Sequence, residues 1–254
     1  MLPEQRKQRI VELVSERNGC SVADIAEHQD VSKATVRRDL QELAKDGRIK
    51  RSHGGAMPVT TVGSEKSFRQ REAQNLNAKR MIAKRAINEI HPGHVVFFDS
   101  GTTTMQIAKA VPSDRSFLPV MNSPLLALEF DDREVNVKLT GGSLRHQTRA
   151  LVGPIAESFM MRTNFDILFL GTNGIECNGL TTPNEDEARM KERMIEQAEH
   201  VILVSDSSKF DERSFIQFGD LIDVDLLITE RYPPESLADA LEKAGVTVCV
   251  AEES

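Results

Sequence analysis

The sequence predicts an α/β protein of two unequal units, a small helical N-terminal unit and a larger parallel α/β domain. Three observations lead there. The 254 residues exceed a typical single domain of ~100 to 200 residues. The first 58 residues show helical apolar periodicity that runs into a basic, glycine-containing ribbon. From residue 78 onward, short apolar runs alternate with amphipathic stretches, as parallel strands alternate with their crossover helices. The expected division is 1–58, a polar linker at 59–77, and 78–254.

Composition narrows the function classes. With 39% hydrophobic and 28% charged residues the chain is of ordinary globular type, and no run reaches the ~18 apolar residues needed to cross a bilayer. Membrane-spanning classes are excluded. The opening MLPEQRKQR passes into a charged amphipathic pattern without the apolar core of a signal peptide, so a cytoplasmic location is expected. Cys20, Cys177 and Cys249 lie far apart, and His91 and His94 flank a Pro92-Gly93 turn. Neither a disulfide framework nor a metal site is expected.

A net charge of −7 is unfavourable for approaching a polyanion until it is divided along the chain. Residues 1–58 carry 11 Lys and Arg against 9 Asp and Glu, a balance of +2, and the remainder carries −9. The basic groups of the first unit are also clustered, as a phosphate-binding patch requires.

In that unit, Ile10, Val11, Leu13 and Val14 recur at helical spacing behind Pro3, and Asn18-Gly19 ends this first helix. Ser21 caps a short second helix, Gln29-Asp30-Val31 makes a turn, and Ser32 caps a third. There Val36, Leu40, Leu43 and Ala44 face a core, and Gly47 stops the helix. Its early positions carry Lys33, Thr35, Arg37 and Arg38, where the second helix of a helix-turn-helix meets base edges in the major groove. A solvated helix face accounts equally well for Arg37 and Arg38 taken alone. The segment Arg48-Ile49-Lys50-Arg51-Ser52-His53-Gly54-Gly55-Ala56 favours DNA, because it reads as a basic two-stranded wing that contacts the sugar-phosphate backbone. The candidate DNA-binding residues are Ser32, Lys33, Thr35, Arg37, Arg38, Arg48, Lys50, Arg51 and His53.

The segment SVADIAEHQDVSKATVRRDLQELAKDGRIKRSHGGA, above all VSKATVRRDLQEL joined to RSHGGA, resembles the winged helix-turn-helix of DeoR-type repressors. That resemblance implies DNA reading through Ser32, Lys33, Thr35, Arg37 and Arg38.

In the larger unit the predicted strands are Val95 to Phe98, Leu118 to Met121, Val135 to Leu139, Ile167 to Leu170, Val201 to Val204, Leu226 to Thr229 and Val246 to Val250. Small polar residues follow most of them: Asp99-Ser100-Gly101-Thr102-Thr103-Thr104, Asn122-Ser123, Thr140-Gly141-Gly142, Gly171-Thr172-Asn173-Gly174 and Asp206-Ser207-Ser208-Lys209. In an open, Rossmann-like parallel sheet these positions gather at the carboxyl ends of the strands, where ligands bind. One polar pocket is expected. Gly101 and the N–H groups and hydroxyls of Thr102 to Thr104 open a helix and suit phosphate, Lys209 adds positive charge, and Asp99 and Asp206 suit sugar hydroxyls. The pattern is neither GxxxxGK[ST] nor GxGxxG, and no cofactor is expected.

FFDSGTTT, LTGGSLR, LVGP, GTNGIECNGLTTPNEDEARMKERMIEQA and LVSDSSKF resemble the DeoR-type effector domain, which itself resembles ribose-5-phosphate isomerase. The resemblance implies sensing of a phosphorylated sugar or polyol, with Thr181, Glu187 and Lys191 near the pocket, and a homodimer or homotetramer on operator DNA. Read without it, Glu185, Glu187 and Lys191 fit the solvated face of a helix ending at Ala198. The expected effector-binding set is Asp99, Ser100, Gly101, Thr102, Thr103, Thr104, Asn122, Gly141, Gly142, Asn173, Thr181, Glu187, Lys191, Asp206 and Lys209. The rival reading is a sugar-phosphate isomerase-like enzyme with an appended DNA-binding module. Its weakness is that no acid and base pair appears at a diagnostic spacing.

Overall fold

The structure is a computed structural model that describes residues 3–17, 19–52, 54–58, 65–114, 116–133 and 135–252. The chain divides into two compact units, 1–61 and 62–254.

The first unit contains α1 (Pro3–Glu16), β1 (Cys20–Ser21), α2 (Val22–Gln29), α3 (Lys33–Lys45), β2 (Ile49–Ser52) and β3 (Gly55–Pro58). Ser21 accepts the N–H of Asp24 while Asp24 accepts that of Ser21, a reciprocal cap that starts α2. Asp30, left-handed at φ 51°, ends α2, and Ser32 starts α3. The three helices bury Ile10, Leu13, Val14, Ile25, Val36, Leu40 and Leu43 in one core. β1, β3 and β2 form a three-stranded antiparallel sheet. Gly55 permits that pairing, because a Cβ there would lie 1.9 Å from the carbonyl oxygen of Cys20.

The second unit opens with α4 (Phe68–Ala73) and α5 (Leu76–Ala86), followed by β4 (Val95–Phe98), α6 (Thr102–Ala110), β5 (Leu118–Met121), α7 (Pro124–Ala127), β6 (Lys138–Leu139), β7 (Ser143–Arg145), β8 (Ala150–Val152), α8 (Pro154–Met160) and β9 (Phe165–Leu170). Then come β10 (Gly174–Glu176), β11 (Gly179–Thr182), α9 (Glu185–Glu196), β12 (Ala198–Val204), β13 (Ile216–Gly219), β14 (Leu226–Thr229), α10 (Glu235–Ala244) and β15 (Thr247–Val250). The seven predicted strands become one parallel sheet in the order β15-β14-β12-β9-β4-β5-β6. The chain lays β4, β5 and β6 outward on one side, then returns to add β9 and the later strands on the other. The order reverses between β4 and β9. This is the doubly wound arrangement, whose ligands bind at that reversal.

Both sheet faces are covered, which is why the strands read as continuous apolar runs. Phe97, Leu168, Leu203 and Leu227 join Met190, Met194, Leu237 and Leu241 on one face. Their neighbours Phe98, Phe169, Val204 and Ile228 join Ile82, Ala86 and Ile107 on the other.

Three expectations change. The strand expected at Val135 to Leu139 is reduced to Lys138–Leu139, a short edge strand. Two further sheets, β7 with β8 and β10 with β11 and β13, come from segments too short and glycine-rich to show a period. Most consequentially, the polar stretch placed in the linker is folded from residue 65. Ser67 and Gln70 cap α4 reciprocally, and Phe68, 3% exposed, joins the core beside Ile82. With Phe68 the one buried large apolar side chain in SEKSFRQREAQNLN, burial there leaves no periodic trace.

Candidate functional site

At the start of α3, Ser32 Oγ accepts the Thr35 N–H at 3.2 Å and lies 2.9 Å from Thr35 Oγ1. The cap fixes where the helix begins and which side chains lead it. Lys33, Arg37 and Arg38 are exposed, and Arg38 Nε lies 3.5 Å from Glu42. The helix is held from behind. Asp39, 3% exposed, accepts Arg6 Nε at 2.6 Å and Nη2 at 3.0 Å, and this pairing raises the Arg6 pKa above its ordinary value. On the ribbon, Lys50 and Arg51 are exposed. Arg48 differs from them, since its Nη2 donates to Gln8 Oε1 on α1 at 2.5 Å. His53 lies outside the described residues.

In the second unit a pocket opens at the carboxyl ends of β4, β9 and β12. Asp99 to Thr104, Asn173, Glu187, Lys191, Asp206 and Lys209 all line it. Four expected residues do not. Asn122, at the end of β5, is 2% exposed and its Nδ2 reaches Ser100 Oγ only at 3.5 Å. Gly141 and Gly142 turn the chain at φ 71° and 104°, and a Cβ on Gly142 would meet the Val152 carbonyl oxygen at 2.6 Å. Their role is close backbone packing. Thr181 is 5% exposed and its hydroxyl accepts the Ser214 N–H at 2.9 Å, away from the lining.

α6 starts at the pocket. Thr104 Oγ1 accepts the Gly101 N–H at 2.9 Å and donates back toward the carbonyls of Asp99, at 2.6 Å, and Gly101. That closes the loop and leaves the helix start facing the cavity, where its dipole favours an anion. Beneath it, Asp99 and Lys191, 2% and 5% exposed, form a buried ion pair. Asp99 also accepts the Gly171 N–H at 3.0 Å, and Lys191 donates to the Gly171 carbonyl at 2.8 Å, so the pair ties α9 to the ends of β4 and β9. Glu187 is engaged similarly by Arg145, at 3.0 Å, and by the Thr148 hydroxyl. These carboxylates already have protein partners. They are poorly placed to serve as the free general bases an isomerase would need.

The helices α4 and α5 supply lining residues that sequence reasoning missed: Arg71, Gln74, Asn75 and Lys79. Asn75 Nδ2 donates to Asp206 Oδ1 at 2.8 Å, and that oxygen also caps Ser208. Lys79, 4% exposed, donates to the carbonyls of Arg71 and Gln74, and burial pushes its pKa down to about 8. Burial also lowers the pKa of Lys209 and Arg71, and the nearby Arg71 charge lowers those of Lys79 and Lys209 further. The result is a pocket whose buried positive charge lacks a full complement of anions. The one available signal was the density of cationic and amide side chains in SEKSFRQREAQNLNAKR, hidden by its resemblance to a hinge.

Among the described residues no group of three or more His, Cys, Asp or Glu could hold a metal ion, and no helix is long and apolar enough to cross a membrane.

Comparison with known proteins covers the whole chain. Residues 6–62 match a DeoR-like helix-turn-helix domain and residues 74–231 a DeoR C-terminal sensor domain. The chain is 58% identical to the HTH-type transcriptional regulator GlpR of Haloferax volcanii, over 98% of each chain. It is 32% identical to the HTH-type transcriptional repressor GlcR of Bacillus subtilis, over 100% of this chain and 98% of that one. It is also 32% identical to the L-fucose operon activator of Haemophilus influenzae, over 94% and 96%. Among solved structures, ribose 5-phosphate isomerase A from Methanocaldococcus jannaschii is similar over 54% of this chain and 55% of that one, with 14% identity and a TM-score of 0.40. The relatives named from sequence are regulators rather than enzymes. With both domain matches in place and relatives aligned end to end, the chain belongs to the DeoR family of DNA-binding transcriptional regulators.

Proposed function

We propose that this regulator represses a sugar or polyol catabolic operon and is released from its operator when a phosphorylated sugar or polyol occupies the pocket of the second unit. The observation that carries this reading is the pocket's composition: the Gly101–Thr104 helix start and Lys209 for a phosphate, with Asn173 and Asp206 for hydroxyls, at the sheet's order reversal. Operator DNA is read by Ser32, Lys33, Thr35, Arg37 and Arg38, with Lys50 and Arg51 on the backbone. The chain works as a homodimer or homotetramer, and the exposed Ile155, Phe215 and Ile222 of the second unit support self-association.

A route for release is available. Arg145 joins Glu65, just beyond the passage from the first unit, to Glu187 in the pocket, with Nη1 to Glu65 at 2.6 Å and to Glu187 at 3.0 Å. A ligand that moves Glu187 would disturb the anchorage of the segment leading to the DNA-binding unit. The distance between paired recognition helices, about 34 Å for half-sites one helical turn apart, would change with it. A thermal-shift screen tests the reading. A phosphorylated sugar or polyol should raise the melting temperature while its unphosphorylated counterpart does not. Equal effects of the two, or none from any phosphate, would count against it.

A further inference from the structure

Arg71, on α4, lines the pocket with a guanidinium whose Nε and Nη2 are buried and have no hydrogen-bond partner among the described residues. Buried donors in folded proteins are almost always paired, and a charged one left unpaired is costly. Its neighbours do not lack acceptors. Glu187, Glu65 and Asp99 are near enough to favour its charge, yet none bonds to these two nitrogens, because Arg145 holds Glu187 and Glu65 and Lys191 holds Asp99. Burial lowers the Arg71 pKa, but a guanidinium stays protonated at neutral pH.

The two free nitrogens form one edge of the guanidinium. The same edge of Arg6 grips the carboxylate of Asp39, with Nε to Oδ2 and Nη2 to Oδ1. It matches the oxygen spacing of a phosphate equally well. Lys79 fixes the backbone beneath it through the carbonyls of Arg71 and Gln74. We propose that Arg71 is a ligand-contacting residue that gives its Nε and Nη2 edge to two oxygens of an acidic group on the effector. This rests on the reading of the pocket as a sensor of phosphorylated sugars, and it adds a specificity residue from the first helix after the DNA-binding unit. An uncharged sugar leaves that edge unpaired. An acidic one draws α4 toward the pocket.

The test is a thermal-shift and calorimetric titration of the full chain, its Arg71→Gln variant and its Arg71→Lys variant with inorganic phosphate and with triose, pentose and hexose phosphates. Ribose serves as the uncharged control. Wild type should be stabilised by phosphate or a sugar phosphate. Arg71→Gln should melt at the same or a higher temperature without ligand, having lost an unpaired buried charge, and should bind on the order of tenfold to hundredfold more weakly. Arg71→Lys keeps the charge without the paired edge, so it should also bind several-fold more weakly, and it decides the matter if Arg71→Gln does not fold. Wild-type affinity in a folded variant, or a ligand-free melting temperature several degrees lower in Arg71→Gln, would overturn the role of Arg71 and leave the phosphate-sensing reading standing. No response of wild type to any phosphate would overturn both.

Discussion

Replacing Arg145 with Met separates the stability of the second unit from its communication with the DNA-binding unit. Arg145 is 22% exposed in its side chain and bridges two nearly buried carboxylates, Glu65 at 10% and Glu187 at 8%. Glu65 pulls the Arg145 pKa above its ordinary value, with Glu187 reinforcing it, so the pairing stabilises the fold. Breaking a fully buried pair by removing one partner costs ~3 to 5 kcal/mol, and partial exposure places this network near the lower end, at about 3 kcal/mol. For a unit of this size that is a fall of roughly 6 to 12 °C in melting temperature, at about 2 to 4 °C per kcal/mol. Adding Glu65→Gln should recover part of the loss, because one uncompensated carboxylate disappears. The assay is differential scanning calorimetry of the single and double variants, paired with operator titration with and without the stabilising phosphate. Arg145→Met should bind operator more weakly even without ligand, as the anchorage of Glu65 is already lost, and should show no further response to ligand. An unchanged melting temperature, or a full ligand response, would refute the assignment of Arg145 as the bridge.

Other consequences concern both units. Arg38→Ala should weaken specific operator binding and relax base preference by about 1 to 3 kcal/mol, whereas Lys50→Ala should weaken all sequences alike and reduce the salt slope by about one, as gel-shift titrations over a range of salt would reveal. Lys79 makes a pH-dependent contribution. The folded chain releases its proton near 8 and the unfolded chain near the ordinary 10.5, so the unfolded state binds more protons between those values and stability rises with pH across that window. Relative to Lys79→Met, wild type should gain up to roughly 3 kcal/mol in urea denaturation between pH 8 and 10.5, and a flat difference would contradict the buried environment of this lysine.

The fold was readable where burial imposes a period. Phe97 and Phe98 enter opposite cores, so β4 shows as an unbroken apolar run, and β9, β12 and β14 likewise feed both cores, whereas the edge strand β6 is exposed and feeds neither. The helix-turn-helix was readable because Ser21, Ser32 and Gly47 mark its helix ends chemically as well as by pattern. The carboxyl-end residues of β4, β9 and β12 fell in the pocket because topology alone brings them there. The ends of β5 and β6 obey the same topology, yet Asn122, Gly141 and Gly142 are absent from the lining, because the cavity extends from the order reversal toward β12 and not toward β5. Arg71 and Lys79 were hidden for another reason. They reach the pocket from a segment anchored by Phe68 and a reciprocal cap, and single anchors leave no repeating trace. Lys191 shows a limit of reading by residue type, because its charge is bound to Asp99 and organises the site.

The most direct test is operator affinity measured by titration at fixed salt, with and without a phosphorylated sugar or polyol first identified by its thermal stabilisation of the protein. Binding should be tight and salt-sensitive, weaken by an order of magnitude or more with that ligand, and be unaffected by its unphosphorylated form. Operator affinity that stays the same when the pocket is saturated would contradict this reading.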